Sequence, residues 1–242
     1  MYVLETVGQC PTCNGDTVFR AKYDWFRDHL LCAHCGSVPR ERALMLTIER
    51  FFPRWRELVI HESSPGNRGA SVRLAKECPG YFGSQFYPDL PAGSTERNWR
   101  CENLEALSFA DESVDLHVTQ DVLEHVFDPA RVFQEVARTL KPGGAHVFTV
   151  PLVNKAAPSR RRAEIAPDGS IRHLEPPQFH GNPIDHSGSL VTMDWGYDIT
   201  AFIHATSGLF THVIHIDDLS HGIRAEFIEV LVTVKPPTGS HG

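Results

Sequence analysis

The sequence predicts an α/β protein with a largely parallel sheet, preceded by a small unit of a different kind. Short apolar runs at 114–119 and 145–150 have the length of buried strands, and the segment between them has the apolar spacing of a helix. Two parallel strands joined by a helix form a right-handed βαβ unit. Four cysteines in two close pairs lie within the first 35 residues and indicate a separate unit there.

The composition is that of a soluble globular protein. Of 242 residues, 41% are apolar and 22% are charged, which fits one large domain with a small appendage. No apolar run approaches the roughly 18 residues of a membrane span, and the N-terminus lacks the basic and apolar regions of a secretory signal. The net charge of −7 argues against binding nucleic acid or an anionic membrane through the whole surface. We therefore expect a cytoplasmic protein.

The four cysteines stand as two C-x2-C pairs separated by 18 residues, Cys10 with Cys13 and Cys32 with Cys35. Each pair can form a tight turn whose thiolates converge, and two such turns complete a tetrahedral site for a structural zinc ion. The spacing therefore predicts a zinc ribbon over 1–38. An iron site of the rubredoxin type would use the same ligands. Disulfides would need an oxidising compartment, of which the N-terminus gives no sign.

A helix is predicted over 39–52, directly after the ribbon. Its apolar positions suit packing against the first strand of the main domain, at 58–62. Because no linker separates the two units, we expect the ribbon to dock on a main domain that spans 39–242.

The strand at 58–62 is followed by a turn of small residues and by a helix from residue 70 onward, and a further strand is predicted at 81–85. Ligands of open α/β sheets bind beyond the carboxyl ends of the strands. Small residues at such an end let a ligand approach backbone N–H groups. The turn after residue 62 is therefore a candidate ligand site.

The strand at 114–119 ends beside Gln120 and Asp121, which we expect at the ligand-facing edge of the sheet. A short helix is predicted next, ahead of the longer helix of the βαβ unit. On that short helix, Asp121 and His125 would form an i, i+4 pair in which the aspartate orients a histidine base. A structural role for this segment is the alternative.

An insertion rich in Pro, Gly, Arg and His is predicted at 152–195. Connections this long inside a compact domain are usually functional or disordered, and this one would cover a molecule bound at the sheet edge. His180, Asp185 and His186 are its candidates for substrate binding or proton removal. A second metal site built from these three residues, or a solvated loop, are the alternatives. The arginines at 160–162 could meet an anionic group of a substrate or form a solvated charge run.

The end of the chain completes the sheet. A helix is predicted at 197–206, followed by strands at 210–217 and 226–234. We expect one of these strands to run antiparallel to the rest.

Three motifs within 107–151 stand in order: L-x-F-x-D-x-S-x-D, then D-V-L-E-H-V, then L-K-P-G-G ahead of a strand. Together they resemble the second half of class I S-adenosylmethionine (SAM)-dependent methyltransferases, in particular the ubiquinone-biosynthesis branch within the methyltransferase type 11 group. The resemblance extends more weakly over 55–235. It implies a Rossmann-like, seven-stranded fold, SAM as the cofactor, and methyl transfer to a small-molecule acceptor.

The resemblance also assigns residues to the cofactor. The family's acid-x-Gly-x-Gly loop is matched by Glu62 and Gly66, whereas Ser64 replaces the first glycine. Gln85 stands where the family carries the acid that binds the two ribose hydroxyls, and an amide can still hydrogen-bond a hydroxyl without charge assistance.

Asn103 stands where the family places the aspartate that receives the adenine amino group, and a carboxamide oxygen can accept the same bond. Leu104 would add a backbone N–H, and Gln120 would touch the methionine part or the substrate. With His180 and His186 of the insertion, His125 and Asp121 complete the catalytic candidates.

Two other functions remain open at this point. An RNA-base methyltransferase could use the ribbon to hold RNA, but three basic and four acidic side chains leave residues 1–36 with a net charge of −1, a poor footprint for phosphates. A non-catalytic interaction module would explain Ser64 and Gln85, since fold and function are separable. We therefore expect a small-molecule partner rather than nucleic acid or a membrane.

Overall fold

A computed structural model describes residues 1–181 and 188–238, so Asp185 and His186 lie outside the described residues. The helices are α1 (Phe26–His29), α2 (Pro39–Phe51), α3 (Gly69–Glu77), α4 (Pro129–Thr139) and α5 (Ile199–Ser207), with 3-10 turns at Trp55–Glu57 and Leu219–His221. The strands of the first part are β1 (Leu4–Cys10), β2 (Gly15–Ala21), β3 (Leu31–Cys32), β4 (Ile60–Ser63), β5 (Tyr81–Gln85), β6 (Thr95–Glu96), β7 (Trp99–Cys101), β8 (Val114–Gln120) and β9 (Leu140–Thr149). The later strands are β10 (Arg160–Arg161), β11 (Ala163–Ile165), β12 (Ile171–His173), β13 (Phe179–His180), β14 (Ser189–Leu190), β15 (Met193–Asp194), β16 (Phe210–Ile214) and β17 (Val230–Val234).

The main sheet has the strand order β16-β17-β9-β8-β4-β5-β7-β6. The strands from β9 to β7 run parallel, and β17 lies antiparallel to both of its neighbours. The predicted α/β class is therefore confirmed, and so is the prediction that one of the two closing strands runs antiparallel to the parallel strands. The two-residue strand β6, which pairs with β7 at the edge, is an addition to the predicted seven.

Helices cover both faces of the sheet. On one face, α2 and α3 pack through residues such as Leu44 and Leu74 against strand residues that include Val118 and Val230. On the other face, α4 and α5 pack through residues such as Phe133 against Phe148 of β9. The result is three layers whose loops at the carboxyl ends of the parallel strands are left to build a site.

The N-terminal unit is a three-stranded antiparallel sheet, β1-β2-β3, with its own small core around Phe19 and Leu30. It docks on the main domain through Arg42 of α2, whose guanidinium is fully buried and donates to the carbonyls of Leu30, Ser37 and Gly222. The predicted docking is therefore present. Among the described residues, no helix has the length and apolar character needed to cross a lipid bilayer.

The predicted short helix after β8 is absent. Residues 121–128 form turns, because Asp121 adopts a left-handed backbone conformation with φ of 53° directly after the strand. Asp121 and His125 therefore do not share a helix face, and the expected pair between them does not form.

The insertion is organised by short antiparallel ladders, β10 with β15, β11 with β12, and β13 with β14. Its arginines hold it together. Arg160 and Arg162 both pair with Asp194, at 3.0 and 2.8 Å, and Arg161 donates to the carbonyl of Phe127 at 2.7 Å. The arginine run is thus neither a free anion site nor simply solvated, since its members have protein partners.

Candidate functional site

A cavity of about 910 Å³ lies at the carboxyl ends of the parallel strands, at the upper end of the size range of ligand pockets. Its wall includes the ends of β4, β5 and β8, the insertion, and residues of the ribbon. Nine of the predicted site residues line it: Ser64, Gly66, Gln85, Asn103, Leu104, Gln120, Asp121, His125 and His180. Of the remaining two outside the cysteines, Glu62 lies beneath the wall and His186 is outside the described residues.

The turn after β4 has the conformation that a glycine would favour. Ser64 has φ of 55°, in the left-handed region. This explains why the corresponding position of the family's loop carries glycine, and why the serine here is strained. Gly66 donates its N–H to Ser71 Oγ at 3.0 Å, and a Cβ added at Gly66 would meet its nearest atom, Ser71 Oγ, at an ordinary 3.7 Å.

Glu62 supports this wall from below. Its carboxylate is fully buried and accepts hydrogen bonds from Ser71 Oγ at 2.7 Å, Gln120 Nε2 at 2.8 Å and the Tyr81 hydroxyl at 2.9 Å. Burial raises the pKa of Glu62, and these three hydrogen bonds offset only part of that increase. Glu62 thus orients Gln120 at the cavity edge.

Gln85 ends β5 and is 5% exposed, and its Oε1 has no hydrogen-bond partner among the described residues. A buried carbonyl oxygen without a partner costs free energy unless a ligand or water satisfies it. Because Gln85 lines the cavity, a hydroxyl of a bound molecule could supply that bond. This arrangement fits the predicted ribose contact.

Asn103 is already engaged. Its Oδ1 accepts the backbone N–H of Glu105 at 2.9 Å, which closes a local turn after β7. The neighbouring Leu104 is 6% exposed at the cavity wall. An oxygen has two lone pairs, so Asn103 keeps capacity for one further donor.

Two arginines hold Asp121 at the cavity floor. Its Oδ2 lies 2.8 Å from Arg27 Nη2 and 2.9 Å from Arg40 Nε, and its Oδ1 accepts Thr149 Oγ1 at 3.0 Å. Burial raises the pKa of Asp121, but the charges of Arg27 and Arg40 outweigh burial and keep the pKa below its usual value. Asp121 is therefore an anion that holds cations and is poorly suited to accept a proton.

His125 and His180 meet at the opposite wall, with ring centroids 5.1 Å apart and planes at 89°. His125 Nδ1 donates to the carbonyl of Leu190 at 2.9 Å, which leaves Nε2 as the acceptor nitrogen. Behind them, the carboxylate of Glu124 is buried, 3.8 Å from His125 Nε2 and 3.6 Å from His180 Nδ1.

Neither oxygen of Glu124 has a hydrogen-bond partner in the described part of the chain. The ligand atoms of Glu124, His125 and His180 lie within 4.8 Å of one another, so the three residues could share a proton or hold a cation. The sequence predicted His125 and His180 as separate candidates, and the fold places them together.

The four cysteines of the ribbon converge, with their Sγ atoms all within 4.8 Å of one another. Cys10 lies 3.8 Å from Cys35, and Cys13 lies 4.0 Å from Cys32. A tetrahedron with Zn–S bonds of about 2.3 Å has edges of about 3.8 Å, so the donor set has the size that zinc needs.

The four thiols influence one another's ionisation. Hydrogen bonds from Cys32 and Cys35 lower the pKa of Cys10, whereas burial and the charge of Cys10 raise the pKa of Cys13 to about 12. Four thiolates cannot coexist here without a compensating positive charge. Zinc would supply that charge, and a site with four protein ligands would leave it no open position for catalysis.

Among the cavity residues that were not predicted are Trp25, Arg27 and Arg40. They lie in and just after the ribbon, more than 80 positions before Asp121. No local pattern could assign them to the cavity, because contacts of this separation depend on the docking of the two units.

Comparison with known proteins shows the fold and identifies one domain type. Residues 85–148 match a family model described as a methyltransferase domain. The structure of an S-adenosylmethionine-dependent methyltransferase from Mesorhizobium loti superposes with a TM-score of 0.51 at 21% identity, covering 80% of this chain and 97% of that one. At this identity, the likeness shows the fold alone.

Two curated relatives match shorter segments. A dimethylglycine N-methyltransferase of Parasynechococcus marenigrum (strain WH8102) is 48% identical over 50 residues, which are 21% of this chain and 18% of that protein. A ubiquinone biosynthesis O-methyltransferase of Parvibaculum lavamentivorans is 40% identical over 47 residues, 19% of each protein. The chain thus spans less than a fifth of the length of either relative.

Proposed function

We propose, from the premise that this chain carries a methyltransferase domain within a SAM-dependent methyltransferase fold, that it transfers a methyl group from SAM to a small-molecule acceptor. The observation that carries the proposal is the cavity, in which nine residues predicted from the sequence meet at the carboxyl ends of the strands. Its volume of about 910 Å³ is enough for a cofactor and a small acceptor together.

Within this proposal, the cofactor lies over the turn after β4. The backbone at Ser64 and Gly66 receives its methionine part, because no side chain at Gly66 blocks the approach. Gln85 accepts a ribose hydroxyl through its unpartnered Oε1. Asn103 and Leu104 face the adenine ring, and Gln120, held by Glu62, marks the boundary between cofactor and acceptor.

The sulfonium of bound SAM supplies the methyl group and departs as a neutral thioether, so no acid is needed. The protein's task is to align the acceptor with the methyl group, which is worth up to about 7–11 kcal/mol in ideal cases. An acceptor that must lose a proton also needs a base.

We assign that base to the pair of His125 and His180. The hydrogen bond from His125 Nδ1 to Leu190 fixes the tautomer in which Nε2 can accept a proton. The buried carboxylate of Glu124 lies within 4 Å of both rings and would stabilise the imidazolium that forms. Asp121, which the sequence also suggested, is excluded from this role by its two arginine partners.

The acceptor is proposed to be a small molecule, in line with two relatives that are named a dimethylglycine N-methyltransferase and a ubiquinone biosynthesis O-methyltransferase. The RNA alternative is not favoured. Of the ribbon's basic residues, Arg20 pairs with Glu5 at 2.7 Å and Arg27 is turned inward to Asp121. Within the described residues, these side chains do not form a basic face for a phosphate backbone. The ribbon metal is proposed to be a structural zinc ion.

The test is calorimetric titration of the purified, metal-loaded protein with SAM and with S-adenosylhomocysteine (SAH). We expect both to bind, with affinities on the order of micromolar, as is common for substrates of enzymes. A methyl-transfer assay against a panel of amines and phenols would then identify the acceptor group. A folded protein that binds neither compound would contradict the proposal and favour the non-catalytic interaction module.

A further inference from the structure

Arg27 belongs to the ribbon, yet its side chain is 9% exposed and contributes to the cavity wall. Its Nη2 lies 2.8 Å from Asp121 Oδ2, and its Nε donates to the carbonyl of Phe227 at 3.1 Å. One guanidinium therefore joins the ribbon to two segments of the main domain, the turn after β8 and the loop before β17.

Both of these segments have unusual backbone conformations at the residue that Arg27 contacts. Asp121 has φ of 53° and Phe227 has φ of 55°, and neither is glycine. Non-glycine residues persist in this region only where their surroundings hold them. Asp121 and Phe227 both line the cavity, so the contacts of Arg27 fix part of its shape.

A second set of contacts also joins the ribbon to Asp121. Arg40 pairs with Asp121 at 2.9 Å and with Asp28 at 2.9 Å, and Asp28 in turn accepts Trp25 Nε1 at 2.7 Å. The ribbon residues Trp25 and Asp28 line the cavity as well. The planar guanidinium of Arg27 makes the double contact possible, because it holds its Nε and Nη2 donors apart and in fixed directions.

We propose that Arg27 is a positioning residue of the ligand cavity, so that the ribbon is a constituent of the site rather than an appendage. This inference rests on the proposed function in that the ligand positioned is SAM or SAH. Arg27 itself touches no reacting atom. It acts through Asp121, which follows Gln120 directly, and through Phe227.

The test compares Arg27→Ala and Arg27→Lys with a matched control, Arg20→Ala. Arg20 is also a ribbon arginine in an ion pair, but its partner Glu5 is exposed and the pair lies outside the cavity. Amide hydrogen exchange is measured over peptides that cover 120–127 and 224–229, and SAH affinity is measured by calorimetry.

We expect Arg27→Ala, and not Arg20→Ala, to speed exchange in both peptides and to weaken SAH binding about tenfold or more. Arg27→Lys, which keeps the charge opposite Asp121 but loses the donor to Phe227, should recover part of the affinity and slow exchange again in 120–127 but not in 224–229. A merely structural arginine would show no such rescue. If Arg27→Ala does not fold, the isosteric change Asp121→Asn weakens the ion pairs of this carboxylate with Arg27 and Arg40, so it tests the contact at the turn after β8 through exchange in 120–127 and SAH affinity.

Unchanged exchange in both peptides would overturn the proposal, and so would SAH affinity within a factor of about two of the unaltered protein. The proposed function and the role of Arg27 can be contradicted by different results. If the unaltered protein binds no SAH, the proposed function falls, whereas the exchange rates of 120–127 and 224–229 still decide whether Arg27 holds the cavity.

Discussion

His61 Nδ1 and His117 Nδ1 lie 2.9 Å apart in the centre of the sheet, so at least one of these nitrogens must carry no proton. His61 Nε2 continues to Ser84 Oγ at 2.8 Å, and His117 Nε2 continues to Thr139 Oγ1 at 2.8 Å. A third imidazole, His146, is buried on the next strand at 3.0 Å from Thr119 Oγ1. The core of this protein therefore contains three buried histidines, and at least one of them is neutral when the protein is folded.

These histidines predict acid sensitivity. Burial lowers the pKa of His117 to about 3 and lowers those of His61 and His146 well below their usual value. Their contribution to stability is complete above the unfolded pKa of about 6.5 and is lost as pH falls below it, because the unfolded chain then binds protons that the folded one does not. Between pH 6.5 and 5.5 the loss is about 1 kcal/mol per histidine.

Urea unfolding at pH 7.5, 6.5 and 5.5 measures this loss. The variant His146→Phe keeps a ring in contact with Phe148. Between pH 6.5 and 5.5, its free energy of unfolding should fall by about 1 kcal/mol less than that of the unaltered protein. Equal pH dependence in the two proteins would show that His146 does not contribute.

Gly66→Val should abolish cofactor binding without unfolding the protein. A Cβ at this position meets no atom of the protein closer than 3.7 Å, so the fold can accept it, but the side chain would occupy the space through which a ligand reaches the backbone. SAH titration and thermal melting are measured together, with Gly66→Ala as the milder control. Retained affinity in the valine variant would show that the turn is assigned wrongly.

Gln85→Glu should tighten SAH binding, and Gln85→Met should weaken it. A carboxylate makes charge-assisted hydrogen bonds to hydroxyls that are about twice as strong as those of an amide. Methionine has a similar length but no carbonyl acceptor, and the lost hydrogen bond is worth about 0.5–1.5 kcal/mol. Equal affinities in the three proteins would place the ribose elsewhere.

Removal of the ribbon metal should affect both stability and ligand binding. Chelation or Cys13→Ser would leave the remaining thiols without their compensating charge, and the ribbon should unfold, because the binding energy of a structural metal is folding energy. Arg27 would then leave Asp121, so we expect SAH affinity to fall as well. Metal analysis should give one zinc ion per chain, and an unchanged melting curve after chelation would contradict a structural metal.

His125→Gln should lower kcat by about 100-fold or more for an acceptor that must lose a proton, the usual contribution of a general base. SAH affinity should stay within about a factor of two, because His125 is assigned to the acceptor side. Asp121→Asn provides the contrast, since its effect should appear in cofactor binding. A kcat unchanged by His125→Gln would leave the histidine with a structural role only.

The sequence predicted the central strands and the helices of the main domain well, because buried strands and amphipathic helices have local signatures. The run at 81–85 coincides with β5, whereas the strand predicted at 226–234 begins only at Val230. Phe227 interrupts it with a left-handed backbone conformation, and its carbonyl accepts a hydrogen bond from Arg27, 200 positions earlier. Such a long-range contact cannot be predicted from the neighbouring residues.

The same reasoning explains the errors in the site. The segment after β8 has helical spacing, but the turn at Asp121 prevents a helix there. Asp121 is held by two arginines that come from the ribbon and from its junction with the main domain. The buried carboxylate of Glu124, which has no hydrogen-bond partner among the described residues, could not be predicted either. Its burial depends on the insertion that packs over it. The cysteine cluster, by contrast, was predicted completely, because the two C-x2-C spacings by themselves bring the thiols of each pair together.

The position of β17 between β9 and β16 has a consequence for synthesis on the ribosome. The ribbon is made first, but the carbonyls of Gly222 and Phe227, to which Arg42 and Arg27 donate, emerge 180 and 200 residues after their partners. At about 5–20 residues per second, that delay is on the order of 10–40 s. Once β9 has been made, its edge stays unpaired until β17 follows about 80 residues later. The ribbon still lacks its contacts to Gly222 and Phe227 at that stage, so the nascent chain is most exposed to misassociation just before β17 is made.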